Sequence, residues 1–200
     1  MTFEEIQDAV LSDRFGESKR ADAKRWINHR YGRMWAQEPW NFKISVASYS
    51  LAQNATTASL GSFQRVIAVF DDTISPLYRP VEAMRPADFY SWATRSAGIP
   101  VGFTVIGDNI RFDAPASSAR TYTVIGELEF TELVNDSDVP LIPAEFHQTL
   151  VHGAISEGLR LENDPTWQAA EEDFRAGVED MKKGYLTPVR NFVSAYPAWP

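Results

Sequence analysis

Cysteine is absent from the 200 residues, and histidine occurs only three times. Without cysteine there are no disulfides, no thiolate metal sites and no cysteine nucleophile, a composition that suits folding in a reducing cytosol. Basic residues are also in short supply: 19 Lys and Arg against 27 Asp and Glu leave a formal net charge of −8. Gripping nucleic acid takes clustered cations that neutralise phosphates, so no such surface is expected, although an acidic wall would still let DNA slide past. From Met1 to Asp13, acids alternate with apolar residues, without a basic lead-in or a long apolar run. Neither a signal peptide nor a membrane span is expected from that stretch. A phosphate-cradling glycine loop and a dinucleotide fingerprint are missing as well.

Apolar and aromatic residues, by contrast, are plentiful. A hydrophobic content of 44% fits one domain of ordinary size with a continuous core. Six Trp and twelve Phe exceed what such a core requires, which implies that some rings face other chains.

Helical periodicity marks both ends of the chain. Thr2 and Glu5 form a T-x-x-E capping box ahead of Phe3, Ile6, Val10 and Leu11, so a first helix is expected to about Ser12. Gly16 breaks it, and Ser18 is the expected N-cap of a second helix whose apolar stripe is Ala23, Ile27, Tyr31 and Met34. The other face of that helix carries Lys19, Arg20, Lys24, Arg25, Arg30 and Arg33, which reads either as a solvated face or as a contact for an acidic partner. Phe146, Leu150, Val151, Ala154, Ile155 and Leu159 mark a third helix that stops near Asn163. Asp164 and Pro165 then open a fourth, with the clearest stripe in the chain: Trp167, Ala170, Phe174, Val178, Met181 and Tyr185.

Between these helices, from about Trp40 to Phe130, the period changes to two. Residues 63–70 read as a buried strand, and 101–106 pairs with 110–112 across Gly107, Asp108 and Asn109 as a hairpin. Tyr122, Val124, Leu128 and Phe130 share one face of a further strand. Pro86, Phe89, Trp92 and Ala93 suggest a short helix within this region. The expected fold class is therefore α+β: N- and C-terminal helices (about 2–38 and 143–186) forming a helical bundle, with an inserted antiparallel β region (about 42–130). Residues 1–186 are expected to form a single domain, followed by an extended tail, 187–200.

Few residues carry the signature of chemistry. Ala154-Ile155-Ser156-Glu157-Gly158 resembles a nucleophile elbow, but Ser156 lies inside a helical stripe and the later histidine that a triad needs is missing. His147 and His152, five apart, turn away from each other on a helix, unlike a zinc-binding i, i+4 pair, and His29 is remote; structural roles are expected for all three. Asn135, Asp136 and Asp138 lack the glycine and the bidentate Glu of a calcium loop and read as a solvated turn. Asp71 and Asp72 read as a strand end. No catalytic residue, metal or cofactor is expected. The tail is the anomaly: Phe192, Tyr196 and Trp199 are three large rings in a terminus, where aromatic anchors serve recognition.

The order of parts, with a Trp40-Asn41-Phe42 exit, a Pro-bracketed stretch Asn135-Asp136-Ser137-Asp138-Val139-Pro140-Leu141-Ile142-Pro143 and a hairpin joined at Asn163-Asp164-Pro165, resembles the head-to-tail adaptors of tailed bacteriophages, the connector or tail tubular proteins. The resemblance covers residues 2–185. It implies a structural virion protein in the neck between capsid and tail, present in the host cytoplasm during assembly. It further implies a ring of about twelve copies beneath the portal, a tail-side partner (stopper, nozzle or tail tube), a C-terminal segment reaching the portal, and DNA passing through the centre without sequence-specific binding. On that reading Arg190, Phe192, Tyr196 and Trp199 would dock on the portal, and Arg25, Arg30 and Arg33 would lie at the interface between copies. A hydrolase or other phage accessory enzyme and a monomeric protein-binding module are the alternatives; turnover dependent on Ser156 or a histidine would mark the first, and size-exclusion behaviour the second.

Overall fold

The computed structural model describes residues 1–73, 78–92 and 96–186. Among these are five α-helices and seven strands, a mixed α+β build in two compact units, one from residues 1–42 with Phe130 onward and the other from 43–129.

Among the described residues, four helices make the first unit. The expected capping box opens α1 (Phe3–Arg14): the Glu5 amide donates to Thr2 Oγ1 (3.2 Å) and the Thr2 amide to Glu5 Oε2 (2.8 Å). The amides of Phe3 and Glu4, which a helix start leaves without intrahelical partners, donate to the carbonyls of Asp138 and Asp136 (2.7 and 3.0 Å). α2 (Arg20–Gln37) buries Ala23, Ile27, Tyr31 and Met34 as the spacing predicts, and Trp26, Arg30 and Trp35 besides. Ser18 caps nothing. The lead-in is a 3-10 turn, Glu17–Lys19, whose backbone bond from the Lys19 amide to the Gly16 carbonyl (2.9 Å) takes the place of a side-chain cap.

The central element is α4 (His147–Leu161), buried along most of its length, on which α1, α2 and α5 (Trp167–Tyr185) all pack. Asn163, in the left-handed region at φ 56°, turns the chain beyond it. Asp164 does not cap α5: its Oδ1 accepts from the Thr166 amide (2.9 Å) and hydroxyl (2.7 Å) in a local turn, so α5 (Trp167–Tyr185) starts two residues later than expected. Phe174, Val178 and Met181 of its stripe are buried, with Trp167, Ala170 and Tyr185 partly so. Close packing of α4 and α5 depends on glycine. A Cβ on Gly153 would lie 2.7 Å from the Phe174 ring, and one on Gly177 would overlap Thr149.

Aromatic rings hold the chain where it leaves this unit and where it returns. Trp40 is buried, donates from Nε1 to the Met34 carbonyl (2.7 Å) and stacks on Phe42 with centroids 5.7 Å apart. Trp35 lies 6.1 Å from both Phe42 and Phe130.

In the second unit, β1 (Ile44–Leu51), β2 (Thr57–Ser59), β3 (Phe63–Asp71), β4 (Arg79–Ala83), β5 (Gly102–Ile106), β6 (Asn109–Phe112) and β7 (Arg120–Leu128) form one sheet in the order β1-β7-β3-β4-β5-β6-β2, and α3 (Pro86–Trp92) lies between β4 and β5 in sequence. The sheet nearly closes: Tyr49 of β1 donates its hydroxyl to the carbonyl of Leu60, just past β2 (2.9 Å). Phe63, Val69, Phe103, Ile110, Tyr122 and Val124 are among the residues of its core. The expected hairpin is β5–β6, with Gly107 at φ 57° in the first central position, where glycine carries no steric penalty. β7 alternates as expected, although Arg120 and Gly126 share the inner face with Tyr122 and Val124.

The structure corrects three expectations here. The region is not wholly antiparallel, because β4 and β5 run parallel (Glu82↔Gly102, Ala83↔Phe103), and the α3 crossover is the kind of connection a parallel pair needs. β3 is only partly buried: Phe63, Val69 and Asp71 are buried, Gln64 and Arg65 are exposed, and the strand carries two register shifts against β7. Asp71 is more than a strand end: it forms a buried ion pair with Arg120. Ala93, expected in the short helix, lies outside the described residues.

Candidate assembly surfaces

Ser156 and His147 are both held in structural contacts. Ser156 is fully buried in the middle of α4 and donates to Glu171 Oε2 on α5 (2.9 Å), a bond between helices rather than a nucleophile at a turn. The buried His147 ring lies 3.1 Å through Nε2 from the Ile142 carbonyl and 2.7 Å through Nδ1 from the Met1 amino group. Burial pushes its pKa down; the Ile142 carbonyl opposes that shift and the Met1 ammonium adds to it. His29 is exposed, with Nδ1 3.4 Å from Glu157. Among the described residues no group of three or more His, Asp or Glu is placed to hold a metal ion, and no helix is long and apolar enough to cross a membrane.

Arg30 sits inside the unit, not on the solvated face of α2. It is 3% exposed, with Nη2 3.0 Å from Glu157 Oε2 and Nη1 2.9 Å from Glu171 Oε2, and its guanidinium lies 5.3 Å from the centroid of the Phe174 ring. One cation therefore ties α2 to both α4 and α5. Burial raises the pKa of Glu171, but the Ser156 hydroxyl and the Arg30 charge outweigh it and hold the carboxyl below the usual range. The sequence did carry a signal for this placement. Arg30 falls three residues after Ile27 and four before Met34, within the apolar stripe.

The three arginines expected at a contact between copies thus divide. Arg25 is 77% exposed and pairs with Asp22 on its own helix, and Arg30 is internal. Arg33 is exposed and, among the described residues, forms no ion pair; with Arg30, Phe174, Arg175 and Val178 it lines a groove of about 560 Å³ between α2 and α5. Arg190, Phe192, Tyr196 and Trp199 lie outside the described residues.

The stretch from Leu133 to Ile142 is better braced than a solvated turn. Asp138 accepts from the amides of Val134 and Asn135 (both 2.8 Å), and these bonds lower its pKa. Asp136 accepts from Lys24 Nζ (2.8 Å) and Gln7 Nε2 (3.2 Å), and the Lys24 bond is the larger cause of its lowered pKa. The Leu133 amide donates to Asn28 Oδ1 (2.9 Å) and the Leu141 amide to the Tyr31 hydroxyl (3.0 Å).

A unit whose buried polar groups serve helix packing, and whose surface offers a charged groove and a braced loop, fits a structural protein. Comparison with family models agrees: the model of the SU10 adaptor protein matches residues 1–191. The chain belongs to that family, a phage adaptor family and not an enzyme family. No curated protein matches it.

Proposed function

We propose that the chain is the head-to-tail adaptor subunit of a tailed phage, forming a ring, on the family resemblance of twelve copies, beneath the portal and around the DNA channel. The family match over residues 1–191 carries this reading. On it, the helical unit acts as a bundle with the β unit inserted as part of one adaptor domain, and a tail-side component joins the opposite end of the ring. Net negative charge suits a channel through which DNA moves, because a basic wall would hold the genome by counterion release. The tail, 187–200, docks on the portal through Phe192, Tyr196 and Trp199 with Arg190 as charge partner, since Trp, Tyr and Arg dominate interface hot spots.

Imaging the purified chain with and without assembled portal tests the reading. Rings stacked on the portal are expected from the full chain, and a chain ending at Leu186 should no longer bind. Portal binding that survives the truncation would remove the tail from the contact. A full chain that forms no ring, alone or on portal, would overturn the adaptor reading.

A further inference from the structure

Three aliphatic side chains stand in water on the braced loop. Leu133, Pro140 and Ile142 turn inward, whereas Val134, Val139 and Leu141 are 70%, 57% and 48% exposed. The hydrogen bonds to Asp138, Asn28 and Tyr31 fix the backbone that presents them, so the loop cannot easily fold them away. Apolar side chains grouped on a rigid segment are the usual mark of a surface that another chain covers. The same segment carries acids: Glu132 is exposed and pairs with no cation among the described residues, and the Asp138 carboxylate is met by neutral amide groups.

The complementary surface lies on the same unit. The α2/α5 groove, about 560 Å³, falls in the range of ligand-binding clefts, about 300–1,000 Å³; it is lined by the buried Phe174 and Val178 and by charges of both signs, of which Glu171 and Glu179 pair with Arg30, Arg175 and Lys182, while Arg33 has no ion pair among the described residues. Lys24, Asn28 and Tyr31 of α2 hold the loop, whereas Arg30, Arg33 and Gln37 line the groove. At 3.6 residues per turn these two sets are centred roughly 150° apart around the helix. The loop with its exposed aliphatic side chains and the groove with Arg33 therefore flank α2 on opposite sides.

We propose that the Val139–Leu141 patch of one copy seats in the α2/α5 groove of a second copy, with Glu132 of the first facing Arg33 of the second. The contact is heterologous, using different patches on the two copies, and such contacts generate closed rings when the rotation between copies closes. Opposite charges at the rim set the register and exclude the inverted pairing. The proposal rests on the ring reading and names the surfaces that would make it.

The test uses the full chain, with assembly followed by sedimentation and native mass. Arg33→Glu and Glu132→Arg should each weaken association by about tenfold, the scale of one lost charge-assisted hydrogen bond. The double variant Arg33→Glu with Glu132→Arg should recover it. Val139→Ser with Leu141→Ser should leave subunits unassembled with an unchanged melting temperature. Variants that all assemble like the parent would overturn the pairing and leave the ring reading standing. Normal assembly with loss of portal binding alone would overturn it too, by making the portal the occupant. A parent chain that assembles neither alone nor on portal would overturn the ring reading and this contact together.

Discussion

Phe174 and His147 show how much a single side chain can carry here. Phe174 is 7% exposed, fills the space that Gly153 leaves open on α4, and supports the Arg30 guanidinium. Its truncation removes buried contacts and loosens the buried ion pairs, so Phe174→Ala should cost about 3–5 kcal/mol in a denaturant titration. A loss within experimental error would mean that α5 does not pack through this ring. His147 makes stability depend on pH. Its folded pKa is depressed, chiefly by burial, so the unfolded chain takes up the proton more readily than the folded one. The contribution is complete above the ordinary histidine value of about 6.5 and drains away as pH falls through the lower folded value. Replacing His147 with Gln should flatten the fall in melting temperature as pH drops below about 6.5. A slope equal to the parent's would assign that fall to other groups.

At the scale of elements, the contrast between two glycines of α5 makes a paired experiment. Gly177 faces Thr149, where even one methyl group overlaps, so Gly177→Val should push α5 off α4 at a cost of about 1–3 kcal/mol. Gly184 has nothing within 4 Å, and Gly184→Ala should stabilise the helix by up to about 1 kcal/mol. Thermal melts of the two variants should move in opposite directions. The same elements show what a sequence reveals. The Ala23, Ile27, Tyr31, Met34 and Phe174, Val178, Met181 stripes were legible because a 3.6-residue period is a local property. The Gly107 turn was legible because a two-residue connection favours glycine. The parallel pairing of β4 with β5, the Glu157 and Glu171 partners of Arg30, and the Asp71–Arg120 pair were not legible in the same way. Each depends on residues far apart in sequence, and a charged residue on a helix is far more often solvated than buried. The α2/α5 groove was hidden for the same reason, because two helices separated by the whole β unit line it.

For the whole molecule, the described residues already close the helical core: Trp40, Phe42 and Tyr185 lie together, and Trp40 forms a backbone bridge with Leu186. A chain ending at Leu186 should therefore melt within a degree or two of the full chain, a few tenths of a kcal/mol for a domain of this size. A much lower melting temperature would show that the tail packs on its own subunit. Continuity in sequence separates the two units in another respect. All strands of the sheet come from 44–128, whereas α1 and α2 must meet α4, which begins at His147. During synthesis at about 5–20 residues per second, the apolar faces of Ile27, Tyr31 and Met34 leave the ribosome several seconds before the helix that buries them, while the sheet can close in the interval. The first helices of this adaptor are thus the part of the nascent chain most in need of a chaperone's attention.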